Sequence, residues 1–489
     1  MPRRSSVLIT VPLLVLLGPL LSSLFVSPPP TLAASPNIIL INTDDLDTDS
    51  LRFMPNVESL LTRSGATFTD FIVAAPDCCP SRASLLRGQY VHNHGILRGS
   101  RKFGEGKFRS RNLEDSTIAT WLRRAGYRTA LIGKYLNGYE DDPTHVPPGW
   151  TEWHATFSNQ YFDYQINENG KLVRYGNNPA DYQTDVLSQK AVSFVRRSAT
   201  DRKRFFLYLT PSAPHGPATS APRHESLFAQ RMAPQTASFD EEDVSDKPAY
   251  IRATSSLTQS DIDTIDERYR DRIRALQAVD EMVAEIVTTL ENTGALANTY
   301  IFFTSDNGNL LGQHRQTDKG VPYEEAIKVP LLVRGPGIAA GSSIGQLSSN
   351  IDLAPTIAHL AGASIPRFVS GRSLVPLLRG SQPRVWRNAT ISQYYREGNG
   401  ESGEVSTEAV LDQPGAPSFL ALRTGNRAYV EYVTGERELY DLANDPHQLR
   451  NLALESTYAA EVDRFRAWLA AFRACSRRAC RSVENQAQN

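Results

Sequence analysis

Four short apolar runs in this chain each end on charged or polar side chains. "NIILIN" (37–42) leads into Asp44 and Asp45, and "RTALIG" (128–133) into Lys134. "FFLYLT" (205–210) leads to His215, and "TYIFFTS" (299–305) into Asp306 and Asn307. Runs that are apolar at every position lack the in–out alternation of a half-exposed strand, so they read as strands covered on both faces. The segments between them are helical in pattern. Residues 55–65 place Pro55 early and Gly65 at a stop, and residues 117–127 form a second short helix. Ile273, Leu276, Val279, Met282, Val283, Ile286, Val287 and Leu290 recur at intervals of mostly three and four, one buried face of a long amphipathic helix. With "VPLLVRG" (329–335) as a fifth strand, the chain predicts an α/β fold built on a large sheet between helices.

The pattern changes after about residue 380. "FLALRTGNRAYVEYVTGERELYDL" alternates strand-like stretches with glycine turns, and a helix follows near 461–473. This predicts a smaller antiparallel sheet in a C-terminal subdomain, 381–489, after a catalytic domain at 35–380. Residues 218–262, with the acidic "DEEDVSD", and 398–418 read as long loops, either functional or disordered insertions.

Open α/β sheets bind ligands at the carboxyl ends of their strands. Four strand ends delivering polar groups to that edge point to one polar site. Asp44, Asp45, Asp306 and Asn307 are hard oxygen donors, and clustered carboxylates repel unless a cation sits among them. Oxygen-only ligation favours calcium or magnesium over zinc. Taken singly, the same residues are helix caps and turns. Arg82, Lys134, His215 and Lys319 form a cationic set suited to a tetrahedral sulfate or phosphate ester.

Arg3 and Arg4, the uncharged run 7–26 and the small residues at Ala33 and Ala34 follow the order of a secretory signal over 1–34, with a retained membrane anchor as the alternative. The arginine pair also fits a twin-arginine route. Either way the folded body is expected outside the cytoplasm, secreted or otherwise extracytoplasmic, with no stable membrane span once the signal is removed. That compartment permits disulfides. The chain has four cysteines, and Cys475 and Cys480 predict a local bridge. Cys78 and Cys79 are adjacent, a geometry that resists the usual disulfide dihedral, so at least one has another task. The formal net charge is −1, which predicts no nucleic acid partner and leaves any polyanion contact local. "RGSRKFGEGKFRSR" (98–111) is such a local patch, either a solvated loop or a rim that grips anionic groups.

"CCPSRASLLRG" resembles the Cys-x-Pro-Ser-Arg signature of the formylglycine-dependent sulfatases. "NTDD", "GKYLNGY", "APHGP", "TSDNG", "DKGVPYEEAIKVPLLVRGPG", "NIDLAPTIAHLAG" and "ELYDLANDPHQLRNLA" extend the resemblance in order along nearly the whole mature chain. "CCPSR" and "GKYLN" look most like the N-acetylglucosamine-6-sulfatase branch. The resemblance implies an alkaline-phosphatase-like fold and an exported enzyme acting on a sulfated sugar. It implies that Cys78 is converted to formylglycine by a formylglycine-generating enzyme during maturation, with Cys79 the variable position. It implies calcium held by Asp44, Asp45, Cys78, Asp306 and Asn307. It also implies that Arg82 and Lys134 hold the hydrated aldehyde, while His215 and Lys319 bind sulfate oxygens and assist the leaving oxygen. Many sulfatases carry a histidine two residues after the matching lysine; here that position is Leu136, followed by Asn137, which leaves the base for the elimination step open. A phosphonate or phosphodiester hydrolase of the same superfamily and an inactive glycan-binding relative are the alternative readings.

Overall fold

The computed structural model describes residues 1, 2, 5, 6, 8, 10, 35–99, 103–396, 411 and 413–486. The expected signal, 1–34, therefore lies almost wholly outside the described residues, as do Arg101, Lys102 and most of 398–418. No helix among the described residues is long and apolar enough to cross a membrane.

Ten strands form the main sheet: β1 (Asn37–Thr43), β2 (Ala66–Phe68), β3 (Arg128–Lys134), β4 (Glu152–Thr156), β5 (Gln165–Glu168), β6 (Lys171–Arg174), β7 (Phe205–Thr210), β8 (Thr299–Ser305), β9 (Leu331–Arg334) and β10 (Ser342–Ile344). Their order across the sheet is β10-β2-β9-β8-β1-β7-β3-β4-β5-β6. The centre, β8-β1-β7-β3-β4, is parallel, while β9, β5 and β6 run antiparallel to their neighbours. Alternate residues of the central strands enter two different cores. Ile38, Leu40, Phe206, Tyr208 and Phe302 belong to one, and Ile39, Ile41, Leu207, Leu209 and Phe303 to the other. This is why both alternate sets of positions within each run are apolar: neither face meets water.

Helices supply both covers. On the first face lies α1 (Cys78–Arg87), with Ala83, Leu85 and Leu86 in the core. On the second lie α2 (Gln183–Thr200) and α3 (Gln259–Asn292). The residue set predicted to face inward on α3 is buried throughout, from Ile273 to Leu290. Its N-terminus carries a capping box: Thr258 Oγ1 accepts from the Asp261 amide while the Asp261 carboxylate accepts from the Thr258 amide.

A second sheet, β11 (Ala389–Tyr394), β12 (Phe419–Thr424), β13 (Arg427–Tyr432) and β14 (Arg437–Asp441), is antiparallel throughout. Helix α4 (Ala459–Ala474) packs against it through Phe465, Leu469 and Phe472. Cys475 and Cys480 form the expected disulfide just beyond α4. The 218–262 stretch is not a disordered insertion. Within its acidic patch Glu241 is buried between Lys247 at 3.0 Å and His314 at 2.7 Å, while Glu242 and Asp243 stay exposed.

A buried ion network ties the C-terminal helix turn to the main body. Arg387 contacts both carboxylate oxygens of Asp352 and reaches Glu484 at 3.3 Å, with all three side chains fully buried. Burial alone would lower the Arg387 pKa, but Asp352 and Glu484 hold the guanidinium ionised. Removing one member leaves the others as uncompensated buried charge. Arg387→Ala is expected to destabilise the protein by about 3–5 kcal/mol, read as a lower urea midpoint. A midpoint unchanged from wild type would contradict the ion network as a stabilising element.

Candidate active site

The polar groups converge at the carboxyl edge of the main sheet. Asp44 and Asp45 follow β1, Asp306 and Asn307 follow β8, and Lys134 closes β3. His215 sits in the turn after β7, Lys319 follows the short strand Thr317–Asp318, and Cys78 begins α1 with Arg82 one turn later. Gly133 makes the approach of Lys134 possible: it has φ +115°, and a Cβ there would lie 2.1 Å from the Thr210 carbonyl oxygen. Asp45 itself sits at φ 66°, a left-handed conformation uncommon outside glycine.

Each carboxylate of the cluster has a cationic partner. Lys134 Nζ donates to Asp44 Oδ2 at 2.5 Å. Arg82 Nε donates to Asp306 Oδ2 at 2.7 Å, and its Nη2 lies 3.6 Å from Asp44. Lys319 Nζ reaches Asp45 at 2.6 and 2.8 Å and Cys78 Sγ at 3.2 Å. Asn307 Nδ2 donates to Asp45 Oδ1 at 2.6 Å. Ligand atoms of Asp44, Asp45 and Asp306 lie within 4.8 Å of one another, and so do those of Asp44, Cys78 and His215. The structure thus brings together the residues singled out at the strand ends with Cys78, Arg82 and Lys319, while Cys79 lies in the apolar core.

Electrostatics follow from this crowding. Burial pushes the Asp44 carboxyl up, but Lys134, His215 and Arg82 outweigh it and hold the group well below the usual range. Asp306 is raised, chiefly by burial, with Asp44 and Asp45 adding repulsion against the pull of Arg82. Burial also lifts the Cys78 thiol well above its ordinary value despite Lys134 and Lys319. His215 is lowered to about 3 by burial. Its Nδ1 lies 2.8 Å from the Gly216 carbonyl, so Nδ1 carries the proton. Nε2 is then an acceptor and takes a hydrogen bond from Asn159 Nδ2 at 3.2 Å.

The residues present fit a hard divalent cation. Asp44 Oδ1 and Asn307 Oδ1 are buried with no hydrogen-bond partner among the described residues, and three carboxylates share one small volume. Leu136 is buried in the core, and Asn137 directs its carbonyl to the Glu105 amide at 2.8 Å. Two residues at this site carry no signal in the sequence. Asn159 fixes His215. Arg272, fully buried on α3, donates to the Asp45 carbonyl at 2.5 Å and the Pro214 carbonyl at 3.3 Å, joining the β1 end to the His215 turn. Among the described residues of the basic stretch, Arg98 bonds the Tyr395 carbonyl, Arg109 pairs with Asp142 at 2.7 Å, and Arg111 bonds the His94 carbonyl.

A model of the sulfatase family matches residues 36–363. The chain belongs to the sulfatase family. A second family model, N-sulphoglucosamine sulphohydrolase, C-terminal, matches residues 312–474. Human N-acetylglucosamine-6-sulfatase is 35% identical over 450 residues, covering 86% of this chain and 81% of that protein. A structure solved in complex with its substrate D-glucosamine-2-N,6-O-disulfate superposes with TM-score 0.74 at 25% identity, covering 89% of this chain and 97% of the other. A phosphonate monoester hydrolase from Silicibacter pomeroyi reaches TM-score 0.71 at 22% identity, covering 90% and 95%, a likeness of fold alone. This sulfatase has the alkaline-phosphatase-like fold, a large mixed sheet between helices with a small antiparallel C-terminal sheet.

Proposed function

We propose that this sulfatase is exported and removes the sulfate from a sulfated sugar of the N-acetylglucosamine 6-sulfate type, with Cys78 converted to formylglycine and calcium held at the strand ends. The observation that carries the reading is the setting of Cys78. It opens α1 3.2 Å from Lys319, beside Asp44 and His215, in a cluster where three carboxylates face three cationic side chains. Without a metal those charges nearly offset; a dication there gives the site the positive excess that a sulfate ester complements.

Asp44, Asp45, Asp306, Asn307 and residue 78 would hold the calcium, which supplies charge stabilisation for sulfate oxygens. The hydrated aldehyde supplies two hydroxyls, one to attack sulfur and a second whose deprotonation ejects sulfate and regenerates the aldehyde. Arg82, bonded to both Asp306 and the Lys134 carbonyl, fixes the N-terminal turn of α1 against the sheet edge. Lys134 and Lys319 bind sulfate oxygens. His215, beside Asp44 and residue 78 with its ring held by Asn159, would flank the leaving oxygen. Export is supported by the Cys475–Cys480 disulfide, which persists in oxidising compartments.

A screen of defined sulfated mono- and oligosaccharides, with sulfate release as the readout, tests the reading. N-acetylglucosamine 6-sulfate is expected to exceed a matched phosphonate monoester by about 100-fold or more in kcat/KM. The reverse ranking would assign the chain to the phosphonate hydrolases instead. The basic stretch bears on substrate length. Replacing Arg101, Lys102 and Lys107 with Ser is expected to raise KM for a charged oligosaccharide at low salt, because exposed contacts are screened beyond about 8 Å at physiological ionic strength. A small aryl sulfate should barely respond. Equal responses, or none, would exclude the stretch from polyanion recognition.

A further inference from the structure

A second group of metal-ligating side chains lies away from the strand-end cage. Glu105 opens the short helix Glu105–Ser110, Glu114 lies in the helical turn Leu113–Ser116, and His145 follows the turn Tyr139–Asp141. One ligand atom from each falls within 4.8 Å of the other two. His145 Nε2 meets Glu114 Oε2 at 2.8 Å, and Tyr135 donates its hydroxyl to Glu114 Oε1 at 3.2 Å. Glu105 is only 3% exposed, yet its Oε1 has no hydrogen-bond partner among the described residues. A buried carboxylate beside a second carboxylate, with no donor of its own, calls for a positive charge. Among the described residues the nearby cationic side chains are directed elsewhere: Arg109 pairs with Asp142 at 2.7 Å, and Lys107 Nζ lies over the Phe103 ring. Burial, reinforced by Glu114, raises the Glu105 carboxyl to about 7.

We propose that Glu105, Glu114 and His145 form a second cation site, for a first-row transition dication such as Zn²⁺, distinct from the oxygen cage at the catalytic centre. One imidazole and two carboxylates make a mixed nitrogen and oxygen set. That set suits zinc, whereas calcium takes six to eight oxygens. Supporting contacts of the kind that orient metal ligands are in place. Tyr135 bonds Glu114, and the His145 carbonyl accepts from Asn167 Nδ2 at 3.0 Å and from the Tyr139 hydroxyl. The His145 side chain is 19% exposed, which gives an ion a path in. The Glu105 amide also donates to the Asn137 carbonyl at 2.8 Å. An ion at this site would therefore clamp the segment that follows Lys134, steadying one wall of the active site without touching substrate.

Cobalt(II) is the probe, because four-coordinate nitrogen and oxygen ligation gives it strong visible absorption. The full-length protein is loaded in saturating calcium, which keeps the oxygen cage filled. Bound cobalt is then counted by elemental analysis after gel filtration. One cobalt per chain is expected, with a visible band that added zinc removes. Glu105→Gln, nearly isosteric and free of the buried charge, is expected to weaken cobalt binding by about tenfold or more. His145→Gln should abolish the band, and Asp306→Ala should retain it. Thermal melts establish that the variants fold. The proposal is overturned if the wild type retains no cobalt, if Glu105→Gln and His145→Gln keep the wild-type stoichiometry and spectrum, or if Asp306→Ala alone removes the metal.

Discussion

Cys78→Ala is expected to abolish sulfate release, while Cys79→Ala keeps most of it. The two sulfurs are adjacent in sequence but occupy different environments. Cys78 Sγ is within reach of Lys319 and among the ligand atoms of Asp44 and His215. Cys79 is fully buried in the apolar cluster under α1, where a Cβ on Gly104 would lie 3.2 Å from its sulfur. Replacing Cys79 removes one buried atom and costs about 1 kcal/mol of stability, with no contact to the reacting groups. Replacing Cys78 removes the position on which the chemistry depends. The thiol as encoded is a poor nucleophile there, because burial keeps it protonated and only the thiolate attacks well. Activity should therefore track conversion of the thiol to an aldehyde. Peptide mass spectrometry on protein made with a maturation enzyme should show that conversion at residue 78 alone. Equal loss of activity in the two variants, or full turnover by protein whose Cys78 is unmodified, would remove it as the nucleophile.

The centre of the fold was legible because the central strands are covered on both faces, so each run is apolar on both alternate sets of positions and stops where the chain meets polar groups. The same logic found the site, since Asp44, Lys134 and Asp306 lie directly at those stops. The outer strands were not legible. β6 is largely exposed and carries Lys171 and Arg174, and β2 and β10 span three residues each, too short for a pattern. The acidic stretch at 240–246 left a functional loop and a disordered insertion both open, because hydropathy registers charge but not pairing. Glu241, Lys247 and His314 are buried because they satisfy one another. Arg272 and Asn159 were invisible for a different reason. Arg272 sits on the long helix among residues that read as an ordinary amphipathic pattern, and Asn159 lies in a segment without motif. Their positions against Asp45 and His215 arise only when distant parts of the chain meet.

Asp306→Ala is expected to lower kcat/KM by about 10³-fold, with only partial recovery in excess calcium. Asp306 has two tasks. Its Oδ2 accepts from Arg82 Nε at 2.7 Å, and its Oδ1 accepts from the amides of Asp45 and Asn307 at 3.2 and 2.9 Å, which fixes the backbone that aims the other ligands. Removing the carboxylate deletes one of three acidic donors and loosens that backbone. The orphaned oxygens of Asp44 and Asn307 remain, so some affinity for calcium survives. High calcium can refill a weakened cage but cannot restore the Arg82 anchor. Arg82 is 1% exposed, and with Asp306 gone its nearest carboxylate is Asp44 at 3.6 Å, already bonded to Lys134. The guanidinium should therefore draw Asp44 away from Lys134, disturbing two groups beyond the one replaced. Loss of a single preorganised electrostatic contact commonly costs 10²–10³ in rate, and the coupled displacement puts this variant at about the upper end. Circular dichroism and elemental analysis separate misfolding from metal loss. Wild-type protein that turns over at full rate with no bound metal, or an Asp306→Ala variant fully restored by calcium, would contradict the assignment of Asp306 as both ligand and anchor.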